Sequence, residues 1–373
     1  MKALQIDSLT LHHYSIPLRI PFRISAGEIT TKEGVILEMQ AGDFTGWGEA
    51  AVDAVPFYAH ETVGSVLDVL QRALIPAVLG KRFTTPEAFS DYMEAAYRGN
   101  NFAKAALEGA FWDIYGQREG KSCAALLGAT RDKIESGPSL GIKNEPAALV
   151  DAVAEQLALG RRRIKIKVTP GKDLKYLEAV RKAYPDICLM VDANNAYSPD
   201  DFEHLKQFDA FSLLMIEQPL YETDVYYHSL LRKEMKTPIC LDESIHTVHD
   251  AHCAVALKAA DIINIKVCRV GGLVNARRIH DICQKAGIGN WIGNRIGTGV
   301  AVAPRICAAA LANCIYPSDA GLENTLYMPD DIVEPVKVID GCFRSVPTTP
   351  GLGVSVNREK LRKYTVGTRH YGG

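Results

Sequence analysis

Five charged residues follow short apolar runs at nearly constant spacing in the second half of the chain. Lys167 and Asp192 are 25 positions apart, as are Asp192 and Glu217 and then Glu217 and Asp242, and Lys266 follows 24 positions later. Three carboxylates at the ends of dry segments would repel one another unless a cation lay between them. Because no histidine or cysteine shares their phase, the acids are predicted to bind the hard cation Mg²⁺, with Mn²⁺ as a substitute. The alternative is ordinary salt bridges to lysines.

Lysine amino groups in the same pattern could move a proton. Lys266 comes four apolar runs after Lys167, so an eight-stranded barrel would place the two residues on opposite sides of one site. Lys165 shares the face of Lys167 because side chains alternate along a strand. Its charge, with that of a metal ion, would favour the neutral amine that a general base needs. The alternative is that Lys165 and Lys167 are solvated charges at a strand end.

This combination suits removal of the proton on the carbon next to a substrate carboxylate. A metal ion on that carboxylate stabilises the enediolate that remains after a lysine base has taken the proton. Two opposed lysines allow removal on one face and return on the other, which is racemisation. If one lysine acts only as a cation, β-elimination becomes available instead. We therefore predict a small-molecule carboxylate as the substrate.

The charged residues end apolar runs that alternate with helix-like segments. Most of the runs are continuously apolar, as is typical of parallel strands buried on both faces, and they cover residues 164–168, 187–192, 213–217, 239–242 and 262–266. A doubly wound open sheet would set the charged residues in a line, whereas a barrel gathers them around one axis at the carboxyl ends of its strands. We predict an α/β fold with a (β/α) barrel, preceded in residues 1–125 by an α+β domain.

Composition excludes several classes of partner. The chain has 373 residues, 47% apolar, and a net charge of −2, which gives no electrostatic case for nucleic acid or for an anionic membrane. Its first residues lack the apolar stretch of a signal peptide, and no apolar run is long enough to span a membrane. The nine cysteines form no C-x-x-C pair. We expect buried free thiols and a cytoplasmic protein.

Short motifs accompany these residues over nearly the whole length. They are Lys165-Ile-Lys167, Val191-Asp192-Ala-Asn194, Ile216-Glu217-Gln218-Pro219, Leu241-Asp242-Glu243-Ser244, Asn264-Ile265-Lys266, Arg269-Val-Gly-Gly272, Pro21-Phe-Arg-Ile-Ser25, Gly46-Trp-Gly-Glu49 and Pro350-Gly-Leu-Gly353. Together they resemble the enolase superfamily, its muconate-lactonizing subgroup and, within that, the o-succinylbenzoate synthase / N-acylamino acid racemase family.

The resemblance implies a modified (β/α)₇β barrel of the TIM type over residues 126–329. A capping domain would combine residues 1–125 with the tail from about 330 to 373. The three acids would be Mg²⁺ ligands, Lys167 and Lys266 the acid/base pair, and Lys165 the cation that stabilises the enolate. The implied activity is that of an N-acylamino acid racemase or o-succinylbenzoate synthase, in a homo-oligomer.

Further residues follow from the same resemblance. Asn194 would contact the metal ligands or the substrate, and Glu243 would support the ligand beside it. Ser139 is a candidate substrate contact, with a satisfied buried hydroxyl as the alternative. Two capping loops would close over the substrate, with Phe22 on residues 20–27 and Tyr58 on residues 55–58. Ala26 replaces a phenylalanine common in the family, which would reshape the pocket.

The seventh strand departs from the family pattern. Where the family carries Gly-Gly-Met-x-Glu-(Thr/Ser)-Gly, this chain has Gly293-Asn-Arg-Ile-Gly-Thr-Gly299. Gly297 thus replaces an acid, and Arg295 adds a positive charge. One hypothesis is that Arg295 binds an anionic group at the far end of the substrate. The other is that it pairs with an acid such as Asp319 or Glu323.

Other functions remain open at this stage. The same residues could serve a cycloisomerase, a dipeptide epimerase or an acid dehydratase. A non-catalytic binding protein would not need both lysines and all three acids together. A phosphate-binding barrel has only Gly271-Gly272 in its favour.

Overall fold

The computed structural model describes residues 3–24, 27–321, 327–334 and 338–372, without the side chains of residues 22–24, 27 and 338. The side chain of Phe22 is therefore not described, and Ala26 and Glu323 lie outside the described residues altogether.

Strands occur along the whole described chain. They are β1 (Leu4–Gln5), β2 (Ser8–Ile24), β3 (Gly27–Ala41), β4 (Phe44–Ala50), β5 (Arg82–Phe83), β6 (Lys133–Glu135), β7 (Ser139–Leu140), β8 (Arg163–Lys167), β9 (Cys188–Asp192), β10 (Ile216–Glu217), β11 (Ile239–Leu241), β12 (Ile262–Ile265), β13 (Gly289–Ile292), β14 (Val338–Ile339), β15 (Phe343–Ser345) and β16 (Thr365–Tyr371).

Helices follow the early strands and then alternate with the later ones. They are α1 (Val63–Val69), α2 (Ile75–Val78), α3 (Pro86–Ala96), α4 (Asn101–Glu119), α5 (Cys123–Leu127), α6 (Pro146–Ala158), α7 (Leu174–Ala183), α8 (Phe202–Leu205), α9 (Val225–Glu234), α10 (Val248–Leu257), α11 (Leu273–Ala286), α12 (Gly299–Ala309) and α13 (Arg358–Tyr364). Within the described ranges, no helix is both long enough and apolar enough to cross a lipid bilayer.

Strands β7 to β13 form one parallel sheet in chain order. Residues 313–319 run between its first and last strands. There the Asp319 N–H donates to the Ile292 carbonyl at 3.1 Å, and the Gly137 N–H donates to the Ser318 carbonyl at 2.9 Å. The sheet therefore closes into a barrel, which confirms the predicted α/β barrel, and it brings residue 319 to the barrel rim.

The barrel strands are buried on both faces, which explains why most of them are continuously apolar runs. Along β8, Ile164 and Ile166 pack in the layer against α7, while Lys165 and Lys167 point to the barrel axis. A separate cluster fills the interior: Met190, Met215, Cys240, Ile262 and Trp291. Because side chains alternate along a strand, this packing fixes which residues face the site.

The capping domain is built on an antiparallel sheet in the order β16-β2-β3-β4, so it takes strands from both ends of the chain. Helix α4 lies directly against β4. A Cβ on Gly48 would lie 1.8 Å from the Ala106 carbonyl oxygen, and a Cβ on Gly46 would lie 2.1 Å from that of Ala110. The two glycines are thus required for close approach. Strands β14 and β15 instead extend β6 beside the barrel.

Candidate active site

The carboxyl ends of β8 to β12 carry the five predicted charged residues. Lys167 is in register with Asp192, and Asp192 with Glu217. Asp242 and Lys266 each directly follow the last residue of their strands, β11 and β12. Three strands separate β8 from β12, so the two lysines approach the site from opposite sides. The near-constant spacing along the chain corresponds to one βα unit per step.

Both lysines line one cavity between the barrel and the capping domain. The cavity holds about 540 Å³ of empty space, part of it open to solvent. Its wall combines Lys167, Lys266 and Asp192 with capping residues Ile29, Phe57 and Tyr58. A small molecule bound there would therefore lie between the two amino groups, beneath apolar side chains of the cap.

Asp192 and Glu217 are buried and already paired with protein cations. Lys167 Nζ donates to Asp192 at 2.5 Å, and Lys165 Nζ lies 3.5 Å from the same carboxylate. Lys165 also donates to Glu217 at 3.2 Å, and the Asn264 side-chain amide donates to Glu217 at 2.6 Å. The lysine salt bridges considered as the alternative to metal ligation are thus present at both acids.

Asp242 is held from two sides. Lys266 Nζ donates to one carboxylate oxygen at 2.5 Å, and a guanidinium nitrogen of Arg269 donates to the other at 2.5 Å. Arg269 also donates to the Ile245 carbonyl at 3.0 Å. The sequence marked Arg269 only as part of a motif, and its role as a partner of Asp242 depends on the turn after β12.

Burial and charge act differently on the three acids. Burial alone would raise the pKa of Asp192, but the charges of Lys167 and Lys165 outweigh it and lower that pKa below its usual value. The pKa of Asp242 is likewise lowered, because Arg269 and Lys266 overcome the effect of burial. Burial and then the charge of Asp192 raise the pKa of Glu217 well above its usual value. The acids therefore lie close enough to repel one another.

The donor chemistry fits a hard divalent cation, although the described side chains do not converge as a metal site. Among the described residues, no three carboxylate, imidazole or thiolate groups are arranged to hold a metal ion. The mutual repulsion of the acids would be relieved by such an ion. Asn264 Oδ1 and Glu243 Oε2 are buried oxygens without a hydrogen-bond partner. The metal site itself remains a prediction.

Asp319 is an important residue of the site that the sequence pattern did not identify as a partner of Lys165. Its carboxylate accepts from Lys165 Nζ at 2.5 Å and from Arg163 at 2.6 Å. Burial alone would lower the pKa of Lys165, but Asp319, followed by Glu217, raises it well above the usual value. Asp319 belongs to the segment that closes the barrel, where no apolar run marks a strand end.

Asn194 links Lys167, a predicted catalytic residue, to the acid beside a predicted metal ligand. Lys167 Nζ donates to Asn194 Oδ1 at 2.7 Å, and the Asn194 amide donates to Glu243 at 2.9 Å. Asn194 adopts a positive φ of 43°, which turns the chain sharply after β9. Ser139 is buried, faces Lys165 in register and lines the cavity. The predicted roles of all three residues stay predictions.

Tyr58 reaches from the capping domain to the second lysine. Lys266 Nζ donates to its hydroxyl oxygen, and the hydroxyl donates to Asp242 at 3.4 Å. Burial, followed by the charge of Asp242, raises the pKa of Tyr58 well above its usual value, so the hydroxyl keeps its proton. Phe57 lies beside it on the cavity wall.

Arg295 pairs with an acid of the capping domain rather than with Asp319. Its guanidinium donates to Asp53, whose other oxygen accepts from Lys32 Nζ at 3.0 Å. Burial and the nearby charge of Arg305 lower the pKa of Arg295 to about 9. The sequence pattern showed neither Asp53 nor Lys32, because they lie on cap strands and loops without any phase in common with the barrel.

Gly297, which stands where the family pattern has an acid, packs against a carboxylate of the capping domain. A Cβ on Gly297 would lie 2.7 Å from a carboxylate oxygen of Glu49. Glu49 accepts from the Thr298 N–H at 3.0 Å and from the Tyr14 hydroxyl at 2.7 Å. The capping carboxylate thus occupies the space beside Gly297.

Comparison with known proteins identifies relatives over nearly the whole chain. Family models described as the mandelate racemase / muconate lactonizing enzyme N-terminal domain and the enolase C-terminal domain-like family match residues 6–128 and 148–360. An o-succinylbenzoate synthase of Bacillus subtilis is 41% identical over 97% of both chains. An N-succinylamino acid racemase of Amycolatopsis is 39% identical over 97% of this chain and 98% of its own. A crystal structure of an enolase superfamily member from Listeria innocua superposes with a TM-score of 0.94 at 35% identity, covering 98% of this chain and 99% of its own.

Proposed function

The chain belongs to the enolase superfamily, and from that premise we propose that it removes the proton next to a substrate carboxylate, with Lys167 and Lys266 as acid and base. The observation that carries the proposal is that both amino groups line one cavity from opposite sides of the barrel. A substrate carbon between them would be open to proton removal on one face and proton return on the other.

Lys165 would act as a fixed cation in this reaction. It is buried and lies within 3.5 Å of three carboxylates, Asp192, Glu217 and Asp319. These charges hold it protonated, so it is suited to stabilise negative charge on the substrate carboxylate rather than to accept a proton. Lys165 and Lys167 would have different roles because Lys165 lies deeper along β8 than Lys167.

We further propose that Asp192, Glu217 and Asp242 hold Mg²⁺, as in enolase superfamily sites generally. When bound, the ion would offset the charge of the three acids and that gained by the substrate carboxylate. Lys167 is paired with Asp192 and Lys266 with Asp242, and the ion would replace the lysines as the partner of both carboxylates. Their amino groups would then be available to the substrate.

The substrate we propose is an N-acylamino acid, with racemisation as the outcome. The two relatives reported above are named for o-succinylbenzoate synthesis and for racemisation of N-succinylamino acids. A specific feature also favours a one-base elimination of the o-succinylbenzoate synthase type. Lys266 is hydrogen-bonded to Tyr58 and lies 4.9 Å from its ring centre, an environment that suits a lysine acting only as a cation.

Hydrogen exchange in D₂O separates these outcomes. The protein with Mg²⁺ would be incubated with each enantiomer of an N-succinylamino acid, and the α-proton followed by NMR together with optical rotation. Exchange with inversion supports racemisation. Lys167→Ala and Lys266→Ala should each abolish interconversion, while Lys175→Ala, an exposed lysine of α7, should not. Full racemisation by either active-site variant would refute the two-base assignment.

A further inference from the structure

We propose that Arg295 is a specificity-determining residue that binds a second anionic group of the substrate, remote from the reacting carbon. The inference rests on the proposed proton transfer and adds to it which residue recognises the far end of the substrate. Arg295 follows β13 and lines the same cavity as Lys167 and Lys266. Its side chain is 9% exposed, and its Nε atom has no hydrogen-bond partner.

Charge at this end of the cavity is unbalanced. Asp53 is a single carboxylate that serves two cations, Arg295 and the fully buried Lys32. Burial and then neighbouring positive charge lower the pKa of both cations, the charge of Arg295 acting on Lys32 and that of Arg305 on Arg295. Buried charge that lacks a partner is costly. A carboxylate on the substrate would balance it, and a guanidinium can hold such a group through two parallel hydrogen bonds.

Both the side chain and the backbone of Arg295 are held in place. The central carbon of its guanidinium lies 4.3 Å from the ring centre of Tyr58, and Arg305 donates a hydrogen bond to the Arg295 backbone carbonyl. Tyr58 in turn contacts Lys266, so one ring touches both the proposed anion site and a catalytic lysine. The Tyr58 ring and the pairing with Asp53 limit the freedom of the guanidinium, which suits recognition of one substrate length.

The described acids of the cavity favour an anionic partner over a cationic one. Asp192 contacts Lys165 and Lys167, and Asp53 contacts Lys32 and Arg295. Asp319 likewise contacts Lys165 and Arg163. Each carboxylate is thus already paired twice. A substrate ammonium group would have to displace one of these cations, whereas a substrate carboxylate adds to the available donors.

The experiment compares two substrates that differ only in charge. N-succinyl-phenylalanine and its terminal amide, N-succinamoyl-phenylalanine, would be assayed with Mg²⁺ by α-proton exchange, and their binding measured by calorimetry. Wild-type protein should prefer the acid by about 100-fold in kcat/KM. In Arg295→Met the preference should fall to about threefold. The loss should lie in the KM for the acid, with the constants for the amide little changed.

The variant should fold, because Asp53 keeps Lys32 as its partner when Arg295 is removed. Arg278→Met, which removes a partly exposed arginine paired with Asp91, is the matched control and should keep the full preference. If folded Arg295→Met kept the preference for the acid over the amide, in rate or in calorimetric affinity, the role of Arg295 would be refuted and the proposed proton transfer would be unaffected. Absence of exchange in the wild-type protein would instead count against the proposed proton transfer, and calorimetry would still decide the role of Arg295.

Discussion

Tyr58 of the capping domain and Lys266 of the barrel are hydrogen-bonded, although 208 positions separate them in the chain. The same hydroxyl donates to Asp242, a predicted metal ligand. One cap side chain therefore orients both the amino group and the carboxylate beside it. The position of the predicted catalytic Lys266 thus depends on a contact with the capping domain.

Tyr58→Phe should lower kcat about tenfold with little loss of stability. The phenyl ring still fills its place, but Lys266 loses a hydrogen bond that orients its amino group. The α-proton exchange assay would measure the rate, and thermal unfolding the stability. Tyr92→Phe removes a cap hydroxyl that bonds the Ala77 carbonyl and should leave kcat unchanged. Equal kcat in both variants would show that the Lys266 contact has no catalytic role.

Asp319→Asn should reduce both stability and activity. The substitution leaves Lys165 and Arg163 buried with one carboxylate fewer, and removal of one partner from a buried ion pair costs about 3 kcal/mol. Urea unfolding would measure the free energy. Asp91→Asn breaks a solvent-accessible pair with Arg278 and should cost less than about 1 kcal/mol. Similar losses in the two variants would mean that Asp319 is not a buried structural charge partner.

Magnesium should stabilise the folded protein and be required for exchange. Binding to the folded state alone raises the midpoint of thermal unfolding as the ion concentration increases. Treatment with EDTA should abolish α-proton exchange, and Glu217→Gln should lose both effects. Glu222→Gln alters an acid that pairs with His60 of the capping domain and should respond to Mg²⁺ like the wild type. Full exchange in metal-free protein would refute the metal proposal.

Glu108 should make stability depend on pH. It is buried in α4 and accepts from the N–H groups of Leu273 and Val274, in the first turn of α11. Burial raises the pKa of Glu108 from 4.5 to about 7. Between these values the folded protein keeps a proton that the unfolded chain has released, so the free energy of unfolding falls as pH rises.

Glu108→Gln should therefore make this slope less negative, by at most about 1.4 kcal/mol per pH unit. Chemical unfolding at several pH values between 4.5 and 7 would measure it. Identical slopes for the variant and the wild type would exclude Glu108 as the titrating group.

The sequence by itself determined the barrel and the residues at its strand ends. The five charged residues could be found because each ends a strand and successive strands are one βα unit of nearly constant length apart: Lys167, Asp192, Glu217, Asp242 and Lys266. The alternation of side chains along a strand then decides which residues face the axis. Both regularities are local, so they can be seen in the sequence.

Only the tertiary structure decided how these residues are paired. Asp319 reaches Lys165 because the chain returns to close the barrel, and Asp53 reaches Arg295 because the cap folds over it. Tyr58 meets Lys266 for the same reason. Contacts between distant segments depend on how the whole chain folds, and a local sequence pattern does not contain that information.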